Sequence, residues 1–470
     1  MKRILIQIIT GLCVIVCFYA CDDKTDYEYE YDFKLKMTIS DDTIYSKKNQ
    51  NITINVEFEK VEFLSKLLIS KKTGSETKLY KSITSSDISS NSYQFSYTIP
   101  PDEDDLFNFI FIAYNLDDRA IMKTVCINSR EGFTLENLTT LSRVTGKNLT
   151  GETLPNPNNT IANYSLSATD LGIIWEIEKD KVGIFFGDSY GGDFVPGPTG
   201  GPNNGNDWRS NVLAFSENKN LDNGLIFSGM AMDANNNKRA REIVPRRMYK
   251  SFTSIPTSAI CVNGVQYVHY MDWQVFGGEE ELNYSSIYRS MDNGKSWHSC
   301  EDKVKFKSFS KFGMIGYAKR DGYVYMVGTE IGRKTSARLA RIKEEYMLDY
   351  NEYEYWDGEN KIWSKGDESR ATVILDGTVG ELSVMYHEKY QCWIVMYFDE
   401  EEYAICYRTA SELNGTWSKE HILVSGNDYP QLYGSYMHPF ANNGDQIYFT
   451  MSLWSPYNVF FMRADIVIKE

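Results

Sequence analysis

Residues 168–188, ATDLGIIWEIEKDKVGIFFGD, read as a β-hairpin: strands at 169–176 and 181–188, joined by a polar turn, with an aspartate at the far end of each strand. If Glu178, Lys179 and Asp180 form a three-residue turn, Ile177 faces Lys181, and counting back sets Asp170 directly opposite Asp188 on one face. Directly opposed side chains of an antiparallel pair lie about 4.5–5.5 Å apart, and two like charges there are destabilising, so a fold that keeps them has a use for them. Asp188 also shares its parity with Val182, Ile184 and Phe186, which turns it toward the apolar side. A register one residue different sends the two acids to opposite faces, each merely ending a strand.

Outward from this hairpin the pattern repeats. Four further units have a strong inner strand: 254–272 followed by SSIYRSMDNGKSW, 313–328 followed by ARLARI, 380–397 followed by YAICYRTA, and 436–454 followed by YNVFFMRAD. The first unit continues into RSNVLAFS. Units of this kind, at roughly the 40–50-residue spacing of propeller blades, pack radially and protect their edges. KEEYMLDYNEYEYW is the one helical candidate, read as a short excursion. Within the second unit, Ser290, Asp292, Gly294 and Trp297 fit the S-x-D-x-G-x-x-W pattern of an Asp-box, in which the aspartate closes a tight hairpin, the glycine takes the left-handed position and the tryptophan plugs the gap. This is a folding device and is not read as catalytic. Degenerate cousins stand at 411–417 and 357–363.

Residues 33–130 carry seven shorter β-patterned segments separated by Ser, Asn, Asp, Gly and Pro clusters, as in an immunoglobulin-like sandwich. This domain is read as a spacer, with a carbohydrate-binding module as the functional alternative. Ahead of it, Lys2 and Arg3 precede an apolar run at 4–20, shorter than the ~20 residues that span a bilayer, and Cys21 follows. That is a secretory signal. FYAC at 18–21 resembles a bacterial lipobox, with Phe18 departing from the usual aliphatic residue. Residues 1–21 are thus read as a lipoprotein signal peptide with Cys21 lipidated, and 22–32 as an acidic tether. The tether resembles the export signal of surface lipoproteins in the Bacteroidetes, which implies a place on the outer membrane.

The 470 residues carry a net charge of −15 and no basic cluster, so nucleic acid is a poor partner. Cys126, Cys261, Cys300, Cys392 and Cys406 are odd in number and widely spaced. They form neither a disulfide framework nor a zinc motif, and read as buried singletons with room for one or two bridges. No metal or other cofactor is called for. Aromatic enrichment, 33 Tyr, 24 Phe and 9 Trp, suits sheet cores and also stacking on sugar rings. The Gly- and Pro-rich run 187–206 lacks the Gly-Lys-Ser/Thr ending of a phosphate loop and reads as a long loop beside the acids.

In order, TDLGIIW (169–175), FGDSY (186–190), WRS (208–210), IPTSAI (255–260), the Asp-box, GYVYMVGTEIGR (322–333), YEYW (353–356), GELSV (380–384), NGTWS (414–418) and YGSYMHP (433–439) resemble the bacterial domain-of-unknown-function family numbered 4185. The resemblance covers about residue 140 to the C-terminus. It implies a five-bladed propeller over 131–470 and an endo-acting D-arabinanase that cuts α-linked D-arabinofuranose chains. It also implies that Asp170 and Asp188 are the catalytic pair; Ser189 stands where many members have threonine. The expectation is therefore an all-β chain, an immunoglobulin-like sandwich followed by a propeller, acting on an arabinan-type polysaccharide.

Two carboxyl groups serve a glycosidase as proton donor and as nucleophile or base, with retention at a separation of ~5–5.5 Å and inversion at ~6.5–9.5 Å. Opposed strand positions lean to retention, while which aspartate is the acid stays open. Trp208, Arg209, Asp272, Glu381 and His438, with Asp207, are the further candidates for holding substrate, each also readable as a structural hydrogen bond or salt bridge. A glycan-binding propeller without catalysis is the alternative. A sialidase, suggested by the Asp-box, lacks the arginine start that it needs.

Overall fold

The computed structural model describes residues 35–468 apart from 40–42, 47, 75, 89–90, 104–105, 129–132, 193, 197–206, 247–251 and 277–278. The signal segment, Cys21, the acidic tether and most of the 187–206 loop lie outside the described residues. The chain is all-β: strands run through both of its compact units, Met1–Ile127 and Asn128–Glu470, and the single α-helix among the described residues, Thr160–Tyr164, is 5 residues long. No helix among the described residues is long and apolar enough to cross a membrane.

Among the described residues of the first unit, eight strands form two sheets of three and five. Thr43–Tyr45 is the strand that the seven-segment reading missed. Asn51–Glu59 alternates strictly between exposed and buried positions, so Ile52, Ile54, Val56 and Phe58 enter a core with Leu67, Phe95, Phe109 and Phe111.

In the second unit each repeated segment seen in the sequence heads one sheet of four or more strands. The five inner strands are Leu171–Glu178, Thr253–Val262, Met314–Arg320, Val379–His387 and Leu432–Met437. Each packs against the next, and Leu432–Met437 packs back on Leu171–Glu178, so the contacts close into a cycle. The last sheet takes its outer strand from the opposite end of the unit: Asn458–Ile468 pairs with Phe133–Arg143. Between the inner strands lies a cavity of about 400 Å³, lined among others by Ile173, Trp175, Ala259, Tyr317, Val384 and Tyr436. KEEYMLDYNEYEYW forms two short 3-10 turns, Glu344–Tyr346 and Tyr350–Glu352, before the strand Glu354–Asp357.

The Asp-box is structural. Asp292 Oδ1 accepts from Ser290 Oγ at 2.8 Å and from the Ser296 amide at 2.8 Å. Gly294 has φ +83°, and Trp297 donates to its carbonyl at 3.1 Å while its ring meets the edge of Phe185 in the neighbouring sheet. The Ser296 hydroxyl, donating to Asp292 Oδ2 at 2.6 Å, and then the Ser296 amide and the Ser290 hydroxyl hold the Asp292 carboxyl down to about 2. Asp292→Ala is expected to cost about 1 kcal/mol of stability, read as a shifted denaturation midpoint. The cousin at 411–417 repeats the clasp, Trp417 Nε1 donating to the Leu413 carbonyl at 3.2 Å.

Among the described residues the five cysteines form no disulfide with one another.

Candidate active site

The hairpin carrying the two acids differs from the simple register. Its turn is Lys179-Asp180, with Glu178 facing Lys181, and a bulge at Ile177 restores the expected pairing of Glu176 with Val182. A second bulge follows: Leu171 pairs with Phe186 but Ile173 with Phe185, and both Leu171 (φ 65°) and Gly172 (φ +92°) are left-handed. A β-bulge inserts one residue and re-aims the side chains beyond it. Asp170 therefore lies across from Gly187 and not from Asp188, the Gly187 amide donating to the Asp170 carbonyl at 3.2 Å. Glycine is needed there: a Cβ on Gly187 would fall 2.3 Å from Asp170 Oδ1. The strand ends at Phe186, so alternation no longer sets the direction of Asp188, which is half-buried. Ser189 ties the two segments together, donating to the Gly187 carbonyl at 2.8 Å and lying 2.8 Å from Thr169 Oγ1.

The two carboxyls have different surroundings. Asp170 is 9% exposed, and its Oδ2 accepts from the phenols of Tyr433 at 2.9 Å and Tyr457 at 3.0 Å. Its Oδ1 is buried without a partner among the described residues. Burial above all, then the charge of Asp188, and to a lesser extent that of Glu381, push the Asp170 carboxyl up to about 7 against the pull of the two phenols. Burial and the neighbouring acid hold both phenols well above 10, so they remain donors. Asp188 Oδ1, by contrast, accepts from Trp208 Nε1 at 2.7 Å and Thr253 Oγ1 at 2.6 Å. Trp208 is held by stacking on Tyr190 (centroids 6.4 Å, 9°) and by the Arg246 guanidinium 4.3 Å over its ring. Trp208→Phe keeps the stack and removes the donor; a hydrogen bond to a charged group contributes about 1.5–3 kcal/mol, so whatever chemistry uses the Asp188 carboxylate should weaken roughly 10- to 100-fold with little loss of stability.

Glu381 joins this group. It binds Arg333, whose guanidinium lies 5.3 Å from the Tyr433 ring centre. An aromatic rim surrounds the acids: Trp454 and Phe252 are 41% and 42% exposed, Trp454 meeting the edges of Tyr433 and Tyr457, and Phe252 lying against Trp208. Four candidates are engaged by other groups. Arg209 is buried and donates to the carbonyls of Ala240 (2.9 Å) and Ser165 (2.6 Å), and Asp207 is bound by Arg239 and Ser165. His438 sits in the core between Phe440 and Phe461, its Nδ1 accepting from the Phe440 amide, and burial pushes it down to about 3. It is a neutral cap at the far end of the strand that carries Tyr433. Asp272 is buried and accepts from the Asn283 amide group at 2.7 Å.

Tyr433, Tyr457, Thr253 and Arg333 stand around the candidate acids and were missed by sequence reasoning. Tyr433 stands first in the YGSYMHP motif, and that position was its only signal. Among the described residues no group of three His, Cys, Asp or Glu is placed to hold a metal ion.

The chain is similar to "Notoamide biosynthesis cluster protein J'" of Aspergillus versicolor, 26% identical over 314 residues that cover 62% of this chain and 82% of that protein. It is similar also to "Notoamide biosynthesis cluster protein J" of Aspergillus sp. (strain MF297-2), 26% identical over 323 residues covering 62% and 81%. Residues 155–463, which hold both aspartates and every residue now gathered around them, match the family described as "Domain of unknown function (DUF4185)", and the chain belongs to that family.

Proposed function

We propose that this chain is a glycoside hydrolase whose second unit is a five-bladed β-propeller, cutting arabinofuranosyl linkages inside an arabinan chain, with D-arabinan the favoured polymer. The observation that carries the reading is the contrast between two neighbouring carboxyl groups. Asp170 is buried and keeps its proton up to about pH 7, whereas Asp188 is half-open and accepts two donors. Environments that push two acids apart in this way assign an acid and a base. With both phenols on Oδ2, the Asp170 proton belongs on Oδ1, from which it passes to the leaving glycosidic oxygen. Asp188 then attacks the anomeric carbon or activates a water. The exposed rings of Trp454 and Phe252 suit stacking on sugars. An immunoglobulin-like first unit, and a lipid on Cys21, would hold this domain at the outer membrane, facing polysaccharide.

The test is a product profile. Purified protein is incubated with D-arabinan and L-arabinan side by side, and new reducing ends and oligosaccharide lengths are followed. Short D-arabinan oligomers that appear early, with their anomeric configuration read by NMR before mutarotation, are the expected result. Binding of either polymer without new reducing ends would replace this reading with that of a glycan-binding surface protein.

A further inference from the structure

A bond-cutting pair fixes where a chain breaks, and another contact must fix which sugar is held there. Two other sheets supply a candidate. Arg333, in the loop after Tyr323–Thr329, has φ 60°, a left-handed conformation that costs a non-glycine residue energy and persists where the surroundings impose it. Its Nε and Nη2 both donate to a single oxygen of Glu381, Oε1, at 3.1 and 2.6 Å. Glu381 lies in Val379–His387, the inner strand of the following sheet. The guanidinium packs on Phe398 and on Tyr433, which in turn holds Asp170. The pair is thus one tyrosine ring away from the proposed proton donor.

Its bonding is lopsided. A guanidinium fork can meet both oxygens of a carboxylate at once, and that is the strong form of the pair. Here both N–H groups converge on Oε1, and Oε2 is buried with no partner among the described residues. The Nη1 of Arg333 takes part in neither bond, and its side chain is 34% exposed where that of Glu381 is 12% exposed. One acceptor and one donor therefore stand side by side.

We propose that Glu381 and Arg333 together read two adjacent hydroxyls of the sugar at the acid pair: Glu381 Oε2 accepts from one O–H, and Arg333 Nη1 donates to the neighbouring oxygen. The naming of a sugar rests on the glycosidase reading. A buried acceptor that substrate must satisfy rejects a ligand lacking the hydroxyl, because the oxygen is then left unpaired.

The experiment is calorimetric. Wild type and Glu381→Ala are titrated with a short α-linked arabinofuranosyl oligosaccharide and with counterparts in which the 2- or the 3-hydroxyl is replaced by hydrogen. Wild type should bind one deoxy compound roughly 100-fold more weakly than the parent. Glu381→Ala should bind the parent as weakly as wild type binds that deoxy compound, and no longer tell the two apart. If Glu381→Ala does not fold, Glu381→Met fills a similar volume without an oxygen acceptor and should show the same loss of discrimination. A wild type that binds neither compound or both equally, or a folded Glu381 variant that discriminates as wild type does, overturns the proposal. Discrimination in a protein that leaves the polymer uncut supports the proposal and removes the hydrolase reading instead.

Discussion

Asp170→Asn is expected to remove activity and at the same time raise the melting temperature, by more at pH 8 than at pH 4. General acid catalysis contributes roughly 10²–10⁴-fold, and asparagine has no proton to give. The gain in stability follows from the sign of the linkage. In the unfolded chain this carboxyl titrates near its ordinary value of about 3.9, and in the folded protein at about 7. Between those values the folded state holds a proton that the unfolded state has released, so stability falls as pH rises through the window. The whole loss corresponds to about 4 kcal/mol and is complete above pH 7. Asparagine accepts from Tyr433 and Tyr457 without carrying charge, so the variant escapes the loss. Thermal melts of both proteins from pH 4 to pH 8 should start close together and diverge. Parallel curves would show that Asp170 is not the buried proton holder.

Asp188→Asn should lower turnover roughly 10³-fold or more, the scale on which loss of an attacking group or base is felt when the rest of a site persists. A second effect separates this variant from a merely damaged site. After burial, the Asp188 charge is the largest influence raising the Asp170 carboxyl, so its removal should let Asp170 lose its proton at lower pH. A carbon-13 titration of the Asp170 carboxyl in wild type and variant reads that shift directly. An unmoved titration would mean that the two groups do not sense each other and would dissolve the pair. With Asp188→Ala, added azide tests the attack itself: recovery of a glycosyl azide of inverted configuration identifies Asp188 as nucleophile.

The architecture was legible because burial stamps a short-range pattern on each inner strand. The five segments picked out by that pattern head five of the six sheets described in the second unit, the sixth being the two-stranded pair Met232–Asp233 and Asn236–Ala240. Asp170 and Asp188 stood out for the same local reason, as charges closing two apolar strands. What failed was also local, but finer. The bulge at Gly172 shifts the pairing by one residue, and a glycine in a strand does not by itself reveal whether it bulges. Tyr433 and Tyr457 reach Asp170 from more than 260 positions away, a distance over which a single chain carries no pairing signal. Arg209 misled because its neighbours Trp208 and Asp188 are in the site, yet its own side chain turns toward the Ser165 and Ala240 carbonyls. His438 misled through the YGSYMHP motif: the tyrosine at its start serves the site, and the histidine at its end caps a turn.

The sheet that joins Phe133–Arg143 to Asn458–Ile468 also supplies Tyr433, and Tyr457 immediately precedes its last strand. Both phenols that grip Asp170 are therefore delivered by the sheet that closes the unit on itself. In the unfolded chain the same carboxyl stands in water and titrates as an ordinary carboxylate. The acid acquires its raised proton affinity in the folded unit, where the two ends of that unit meet.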